Sequence, residues 1–509
     1  MAKNRCLKEL IMTVQEALNE IKSFENTNSA LNHAAGILYY DGDTVAPEGS
    51  VEIRALTLGE ISRMSYELIT APKFIEALET LNASLDSLSE LDRRKVTELY
   101  REYDETRKIP MQEMVDFQVH LTESSAVWHK AKENNDFASF EPYLQKTFDI
   151  LKKFASYTDP DKDPYEVCLD KYERGLTKAK CDEFFKALRE KLVPLIARVG
   201  NAKQIDDSVL HLNYPKAQQE KFTDYLVDVM DIDRAHFGVG ETEHPFTINF
   251  TSKDVRITTH YYEDNLSSSL YSVVHECGHA LYELNSMPEL FRTTLEGGVS
   301  MAIHESQSRF YENIIGRSKP FCDLILPFLK NEFPEQLGSV ENEDFYRMIN
   351  RAEPSLIRTE ADELTYALHV MVRYELEKRM MSGEITAKDL PSEWNRMYKE
   401  YLGVNVPDDT HGVLQDSHWS NANIGYFPSY ALGSAYGAQM LNEMKKDVDV
   451  DAAIKSGKLT AINDWLREKI WKFGCMYDPT DLFNMVCGEF DPDVYVQYLE
   501  NKFTEVYGL

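Results

Sequence analysis

Apolar residues recur three or four positions apart along much of the chain, which is the spacing of one face of an α-helix. The two clearest series lie near the two ends: Ile11, Val14, Leu18 and Ile21, then Leu459, Ile462, Leu466 and Ile470. Gly474, shortly after the second series, is a typical helix stop. The pattern predicts a mostly α-helical protein.

The region between residues 246 and 259 has a different pattern. Residues 246–250 alternate apolar and polar side chains, residues 252–254 are polar, and residues 255–259 alternate again. This is typical of two strands joined by a turn, so it predicts a β-hairpin. Such a hairpin either packs the following helix in place or pairs with an extended peptide by strand addition. Pro245 and Phe246 could block one end of a groove there.

Composition favours a single large unit. The 509 residues include only 23 glycines and 19 prolines, about 8% of the chain, against about 12% in average usage. No segment rich in Ser, Gly or Pro divides the sequence. Although length alone would suggest about three domains, we expect one domain over residues 1–509 with a continuous core.

The chain is strongly acidic, with 55 Lys and Arg against 85 Asp and Glu and a net charge of −30. Such a surface repels nucleic acid, and no basic stripe offers a local exception, so we expect no nucleic-acid partner. The simplest role of the charge is solubility. A substrate that ends in a carboxylate would meet an unfavourable field, so individual arginines near the site become candidate anchors.

Seven cysteines lie without metal-binding spacing, at positions 6, 168, 181, 277, 322, 475 and 487. Their number and spacing are typical of reduced thiols, so we expect a cytoplasmic location. Residues 1–6 are followed by an amphipathic pattern rather than the hydrophobic core of a secretion signal. Because no run of 18 apolar residues occurs, we expect no membrane span.

The strongest chemical signal is the run His275-Glu276-Cys277-Gly278-His279. Residues four apart lie one turn above each other on a helix, so His275 and His279 can bind the same metal ion. Glu276 projects beside that metal, where its carboxylate can take a proton from a bound water. The alternative is that the three side chains are an unremarkable solvated helix face.

The flanking sequence supports a helix around this motif. An apolar stripe runs through the segment, formed by Leu270, Val273, Val274, Leu281 and Leu284. Any of Ser267, Ser268 and Ser269 could cap the start of the helix. We expect Cys277 to fill a small space against the next helix.

A hydrolytic metal site needs a third protein ligand and one open coordination position. Glu305 follows His279 by 26 residues on a second predicted helix, and Gly297 and Gly298 lie where the connecting loop should turn. Glu305 would complete a set of two histidines and one glutamate. His304 is the competing ligand, because imidazole is a common zinc partner.

The segments around both motifs resemble the carboxypeptidase Taq family of zinc metallocarboxypeptidases, which is distantly similar to angiotensin-converting enzyme and neurolysin. Further segments match the family in order, namely residues 38–41, 244–246, 254–258, 304–307, 357–362, 412–419, 425–433 and 498–502. The match covers nearly the whole chain. Departures at Tyr40, at residues 238–243 and at His260 concern substrate preference rather than the metal ligands.

The resemblance implies a mostly α fold in which two helical lobes enclose one deep groove, with the metal-binding helix on its floor and a small hairpin or sheet beside it. It implies one Zn²⁺ per chain, with Co²⁺ or another divalent ion possible. The expected partners are peptides with a free C-terminus and a second copy of the chain in a homodimer. The expected reaction is removal of C-terminal residues by a water that Glu276 activates.

The resemblance also points to substrate-binding residues. Arg358 lies in a family signature implicated in holding the C-terminal carboxylate, and a guanidinium suits that role through two parallel hydrogen bonds. From spacing alone, Arg358 and Asp362 would form an ion pair on a predicted helix. Arg256 is a second candidate, although Asp254 beside it favours a role in the hairpin, and His244 is a further candidate from its signature.

His418, Tyr426 and Tyr430 form the last expected cluster. Attack on a peptide carbonyl builds negative charge on its oxygen, and a phenol or imidazole donor stabilises that charge. A similar His-then-Tyr arrangement supplies such donors in angiotensin-converting enzyme. Spacing does not decide which tyrosine faces the oxyanion. We predict His418 and Tyr426 as catalytic residues and Tyr430 as a substrate contact. Trp419 and Phe427 are expected in the core.

Two alternatives to a carboxypeptidase remain open at this point. An oligo-endopeptidase could use the same metal centre on internal bonds. A catalytically silent peptide-binding scaffold could keep the fold, although such a protein would be expected to lose Glu276 or a metal ligand, and all of them are present.

Overall fold

A computed structural model describes residues 12–509, in which helices dominate and hold 69% of the chain. The helices before the sheet are α1 (Val14–Thr44), α2 (Val51–Ile69), α3 (Pro72–Asn82), α4 (Glu90–Lys108), α5 (Met111–Asn134), α6 (Phe137–Thr158), α7 (Pro164–Asp170), α8 (Lys178–Asn201) and α9 (Lys216–Val229). The helices after it are α10 (Leu266–Leu284), α11 (Met301–Arg309), α12 (Lys319–Glu332), α13 (Pro334–Leu337), α14 (Asn342–Ile349), α15 (Tyr366–Ser382), α16 (Leu390–Tyr401), α17 (Phe427–Met444), α18 (Val450–Lys455), α19 (Thr460–Lys469), α20 (Pro479–Cys487) and α21 (Pro492–Tyr507). The predicted mostly α fold is confirmed.

The two apolar series noted in the sequence have clear places in this fold. Val14, Leu18 and Ile21 lie on α1, whereas Ile11 lies outside the described residues. The second series spans α19 and its two flanking positions, and Gly474 follows a short 3₁₀ turn with a positive φ of 49°. The predicted stop is therefore one turn beyond the end of the helix.

The buried apolar side chains form one large core and two separate smaller ones. One of the smaller cores lies among α1, α3 and α4 and includes Ile21, Phe24, Phe74 and Leu78, and the other consists of Leu290, Leu295 and Met476. The large core extends through the rest of the described chain from α5 to α21. The predicted continuous core is thus confined to the part of the chain that begins at α5.

Three strands form one small sheet beside α10. The strands are β1 (Phe237–Glu241), β2 (Thr247–Thr251) and β3 (Asp254–Thr259), in the order β1-β3-β2. The pair β2–β3 is antiparallel, which confirms the predicted hairpin, and β1 runs parallel to β3. The strand β1 was missed because Gly238 and Gly240 interrupt the alternation that signals a strand.

Helix α10, which carries the metal-binding motif, packs against the sheet, α9 and α11. A side chain at Gly278 would lie 2.7 Å from the backbone of Ser308 on α11, so glycine is what allows the two helices to approach. On the other side of α11, a side chain at Gly433 of α17 would lie 2.5 Å from Glu305 Cβ. Cys277 is fully buried, as expected.

The start of α10 differs from the prediction. Asn265 occupies the N-cap position, and its side chain makes no capping hydrogen bond. Ser267, Ser268 and Ser269 lie inside the helix rather than at its end, so the prediction that one of them is the cap was wrong. Ser269 instead donates from its hydroxyl to Gln219 Oε1 on α9 at 2.5 Å.

Candidate active site

A cavity of about 990 Å³ follows the exposed face of α10. Strand β2 lines one side, α11 and the π-helical turn Phe310–Ile315 that continues it line another, and residues 358–361 with the start of α17 face them. The candidate ligands His275, His279 and Glu305 and the candidate base Glu276 all line this cavity. The sheet and two helices therefore bring together residues that are distant in sequence.

His275, His279 and Glu305 each offer one ligand atom, and these atoms lie within 4.8 Å of one another. In residues 12–509 this is the one group of three or more such side chains that could hold a metal ion. Two imidazoles and one carboxylate leave a fourth position open in tetrahedral geometry, which is the donor set of a hydrolytic zinc site. The residues present fit a divalent metal.

Neighbouring side chains direct both histidines toward that point. Glu312 Oε2 accepts a hydrogen bond from His275 Nδ1 at 2.8 Å, and His279 Nδ1 lies 2.5 Å from His304 Nδ1. Nε2 of each ring is therefore left for a metal. His304 Nε2 is also occupied, at 2.6 Å from Glu283 Oε1. Because both of its nitrogens have partners, His304 is a poor third ligand, and the geometry favours Glu305.

Glu276 is buried at the floor of the cavity, with 8% of its surface exposed. The Thr247 hydroxyl on β2 donates to Glu276 Oε2 at 2.6 Å, which fixes the carboxylate against the hairpin. Burial raises the pKa of Glu276 above its usual value, although the Thr247 hydrogen bond works in the opposite direction. The result is a buried carboxylate whose basicity is increased, as a general base requires.

Arg358 lines the cavity but not in the way spacing predicted. The segment Arg358–Glu360 is a 3₁₀ turn followed by extended chain, so Arg358 and Asp362 do not share a helix face and the predicted ion pair between them was wrong. Asp362 instead accepts hydrogen bonds from the backbone N–H groups of Leu364 and Thr365 before α15. The partner of Arg358 is Asp416, at 2.8 Å.

Two further arginines, which the sequence analysis did not identify as site residues, line the cavity. Arg309 donates to Glu312 Oε2 at 3.1 Å and lies 3.8 Å from Glu305 Oε2, and Arg317 stacks over the Tyr271 ring at 3.7 Å from its centroid. Arg309 lies four residues after Glu305, a spacing that places both on one helix face, whereas Arg317 lies beyond the π-helical turn, where helical spacing gives no signal. The π-helical turn changes the helical phase between them and brings Glu312 beside His275.

Two other substrate candidates lie outside the cavity lining. Arg256 makes a paired contact with the Asp254 carboxylate at 2.9 and 2.8 Å and lies over the Phe250 ring. The geometry gives Arg256 a role in ordering the hairpin. His244 is exposed at the start of the segment leading to β2, and the neighbouring Pro245 and Phe246 line the cavity instead.

Tyr426 and Tyr430 both line the cavity, whereas His418 lies behind them. His418 Nε2 is 3.1 Å from the Tyr430 hydroxyl, and its ring stacks on Phe427. Burial lowers the pKa of His418 to about 4 and raises the pKa of Tyr426 and Tyr430, so the histidine is neutral and the phenols keep their protons near pH 7. Trp419 and Phe427 are buried, as expected.

Comparison with known proteins decides what this site is. Residues 20–503 match the family model described as carboxypeptidase Taq (M32) metallopeptidase. The chain belongs to this family. It is therefore a metal-dependent carboxypeptidase, a hydrolase, and the resemblance noted in the sequence is confirmed.

Curated relatives and solved structures agree over nearly the full length. The chain is 37% identical to Carboxypeptidase 1 of Bacillus subtilis, over 94% of this chain and 96% of the relative. It is 34% identical to Thermostable carboxypeptidase 1 of Thermus thermophilus, over 98% of this chain and 100% of the relative. The structure of an M32 carboxypeptidase from Deinococcus radiodurans superimposes with a TM-score of 0.93 at 32% identity, covering 97% and 100% of the two chains.

The same comparisons set aside the silent scaffold and favour carboxypeptidase over endopeptidase action.

Along residues 12–509, none of the helices combines the length and the apolar character that crossing a bilayer requires. The six cysteines of the described part, Cys168, Cys181, Cys277, Cys322, Cys475 and Cys487, are unpaired, and Cys6 lies outside it.

Proposed function

We propose that the enzyme removes single residues from peptide C-termini with His275, His279 and Glu305 holding one Zn²⁺ and Glu276 acting as general base. The observation that carries this proposal is the convergence of three ligand atoms within 4.8 Å beside a buried carboxylate. The bound ion would supply Lewis-acid chemistry, which lowers the pKa of a coordinated water and polarises the substrate carbonyl. Co²⁺ or another divalent ion fits the same donor set.

The role of Glu276 is proton transfer. Its carboxylate takes a proton from the attacking water and then delivers that proton to the leaving amine, since the peptide nitrogen leaves as a neutral amine only when protonated. Thr247 holds one carboxylate oxygen at 2.6 Å, which leaves the other oxygen free to exchange the proton. Burial supports the transfer because it raises the basicity of the group.

The role of Arg358 is to bind the substrate's terminal carboxylate. Nε and Nη2 of Arg358 point to Asp416, and Nη1 donates to the Tyr366 hydroxyl at 3.1 Å on the cavity side. Asp416 also pairs with the fully buried Arg373 at 2.7 Å, so one carboxylate faces two guanidinium groups and a positive charge remains. That positive charge can attract the carboxylate at the end of a peptide. The net charge of −30 on the whole protein would otherwise repel this group.

The two tyrosines are proposed as hydrogen-bond donors to the reacting carbonyl oxygen and to the substrate. Both hydroxyls belong to cavity-lining side chains and both stay protonated near neutral pH, because burial raises their pKa. His418 contacts the Tyr430 hydroxyl rather than the cavity, so its proposed contribution is to orient that phenol. His244 and Arg256 remain weaker candidates, since neither lines the cavity.

A homodimer is proposed from two exposed apolar helix faces, one on α2 and one on α5. Helix α2 has no buried residue, and its exposed large side chains include Ile53 and Leu56. Met111, Val115 and Val119 follow at helical spacing on α5 and are 50–62% exposed. Light scattering should give twice the chain mass of 58.7 kDa for the wild type and the single mass for Leu56→Lys combined with Val115→Lys.

A cytoplasmic location is proposed from the six unpaired cysteines of the described part, because reduced thiols are typical of that compartment. Cell fractionation with antibody detection tests this proposal. The opposite result is recovery of the protein in the secreted or membrane fraction.

One experiment separates the possible activities. The zinc-loaded enzyme is incubated with a peptide of about ten residues as the free acid and as the C-terminal amide, and products are weighed by mass spectrometry over time. Carboxypeptidase action gives a ladder shortened from the C-terminus for the acid and little product from the amide. Internal fragments from both peptides indicate an oligo-endopeptidase, and unchanged peptides would contradict the proposed function.

A further inference from the structure

His279 is connected to a buried carboxylate through a second histidine. His279 Nδ1 lies 2.5 Å from His304 Nδ1, and His304 Nε2 lies 2.6 Å from Glu283 Oε1. All three side chains line the cavity beside the proposed metal ligands. His275 differs, because its Nδ1 contacts a carboxylate directly, that of Glu312 at 2.8 Å.

The hydrogen-bond partners favour one arrangement of the protons. An ionised carboxylate only accepts hydrogen bonds, so His304 must donate to Glu283 from Nε2. A neutral His304 then carries a lone pair on Nδ1, and it can accept there only if His279 donates from its own Nδ1. With its proton on Nδ1, His279 keeps an unprotonated Nε2, which is the atom a metal ion needs.

The surrounding structure holds this chain of contacts in place. Glu283 is 5% exposed and accepts two further hydrogen bonds, from Asn249 Nδ2 at 2.5 Å and from the backbone N–H of Gly298 at 3.1 Å. A side chain at Gly298 would lie 2.5 Å from the His304 ring, so the loop residue must be glycine for the ring to occupy this position. Strand β2 and the loop before α11 therefore fix Glu283 and His304 together.

We infer that Glu283 and His304 are positioning residues that hold His279 in its metal-binding tautomer. The inference rests on the proposed ligand set of His275, His279 and Glu305. Outer partners of metal-bound histidines typically contribute about 10–100-fold to metal affinity. Here that contribution passes through the His304 ring, and its removal should appear in metal affinity and in the ligand field of the bound ion.

The test compares two substitutions of His304, one that keeps a hydrogen-bond acceptor at the position of Nδ1 and one that removes it. The amide oxygen of His304→Asn lies where imidazole Nδ1 lies and can still accept from His279, whereas His304→Leu offers no acceptor. We expect the zinc dissociation constant to rise about 10–100-fold for His304→Leu and only a few-fold for His304→Asn. The constant is measured by competition with a chromophoric chelator, and the visible spectrum of bound Co²⁺ should change in the leucine variant.

Glu283→Leu provides a second test, because its side chain offers no acceptor to His304 Nε2. Nothing then holds the proton of His304 on Nε2, so His304 no longer presents a fixed acceptor to His279 Nδ1. Zinc binding should therefore weaken by about 10-fold, whereas Glu283→Gln, whose amide oxygen still accepts from His304 Nε2 and from the Gly298 N–H, should bind zinc within a few-fold of wild type. If Glu283→Leu and His304→Leu both bind zinc within two-fold of wild type and give an unchanged Co²⁺ spectrum, the inference is overturned.

Controls separate this inference from the ligand assignment and from loss of folding. His279→Ala should lose zinc binding, and normal binding there would overturn the proposed ligand set instead. Far-UV circular dichroism of the metal-free proteins reports folding. If His304→Leu does not fold, the comparison of His304→Asn with Glu283→Leu still decides, because weakening must appear in the Glu283 variant and be small in the asparagine variant. The reverse order would contradict the proposed chain of protons.

Discussion

Arg358 donates from Nε and Nη2 to a single carboxylate oxygen of Asp416, at 3.0 and 2.8 Å. The other oxygen of Asp416 accepts from the fully buried Arg373 at 2.8 Å. Burial disfavours the charge of Asp416, but Arg373 and Arg358 outweigh it and hold the pKa of Asp416 well below its usual range. One anion therefore pairs with two cations, of which Arg358 lines the active-site cavity and Arg373 is fully buried.

Substitution of Arg358 should distinguish free peptides from blocked ones. Arg358→Ala removes the proposed partner of the substrate carboxylate, so transition-state binding of free-acid peptides should weaken by about 2–4 kcal/mol. C-terminally amidated peptides, already poor substrates, should lose much less. The measurement is kcat/KM for the acid and amide forms of one peptide.

Arg256→Ala is the matched control for that comparison, because Arg256 lies outside the cavity lining and pairs with Asp254. We expect it to affect the acid and amide forms equally. Equal losses in Arg358→Ala as well would mean that Arg358 acts through the structure alone. A selective loss of the acid form in Arg256→Ala would move the anchor to the hairpin.

The two aspartates near Arg358 should differ in their contribution to stability. Asp416→Asn leaves two buried guanidinium groups without their counter-ion, so the free energy of unfolding should fall by about 3–5 kcal/mol. Asp362→Asn weakens hydrogen bonds within the turn that precedes α15 and should cost about 1 kcal/mol. Urea unfolding followed by circular dichroism measures both, and equal losses would contradict the assigned pairing.

The half-buried His418 should make stability depend on pH below neutrality. Its pKa is lowered to about 4, first by burial, from a usual value of 6.5. Between these values His418 binds a proton in the unfolded chain but not in the folded protein. Its contribution to the free energy of unfolding is therefore fully present above pH 6.5 and is lost as the pH falls toward 4. The loss amounts to about 3 kcal/mol at the lower end.

The check is the difference in unfolding free energy between wild type and His418→Gln at several pH values. Other groups titrate in both proteins and cancel in the difference. We expect the stability advantage of the wild type to shrink by about 3 kcal/mol between pH 7 and pH 4. A difference that stays constant over this range would show that His418 is accessible to protons in the folded state.

Metal removal should lower thermal stability in a way that added metal reverses. A ligand that binds only the folded protein contributes about 4 kcal/mol when its free concentration is about 1,000 times the dissociation constant. The midpoint of thermal unfolding should therefore rise with zinc concentration after treatment with a chelator. Calorimetry measures this dependence, and His279→Ala should abolish it. A midpoint that does not respond in the wild type would contradict a folded-state metal site.

The parts of the fold that could be predicted depend on local patterns. The four-residue spacing of His275 and His279 predicts one helix face, and the alternation in residues 246–259 predicts the hairpin. Glu305 could be proposed because chemistry demands a third ligand and a second helical segment lay at a suitable distance. These inferences need no knowledge of which distant elements touch.

Long-range contacts could not be predicted in the same way. Arg358 and Asp416 are separated by 58 positions, and the ion pair expected with Asp362 failed because the chain leaves helical geometry after the 3₁₀ turn. The contact between His279 and His304 depends on how α10 packs against α11, which Gly278 permits. Glu312 lies on a π-helical turn whose phase differs from that of the helix before it, whereas Arg309 lies one regular helical turn after Glu305.

The most direct test of the central claim is the turnover of Glu276→Gln with its metal content measured in the same sample. Glutamine keeps the shape of the side chain and leaves His275, His279 and Glu305 unchanged, but it removes the basic oxygen. We expect the variant to retain about one zinc ion per chain while its kcat on a free-acid peptide falls by about 10²–10⁴-fold. Turnover close to wild type with zinc bound would contradict Glu276 as the general base and with it the proposed mechanism.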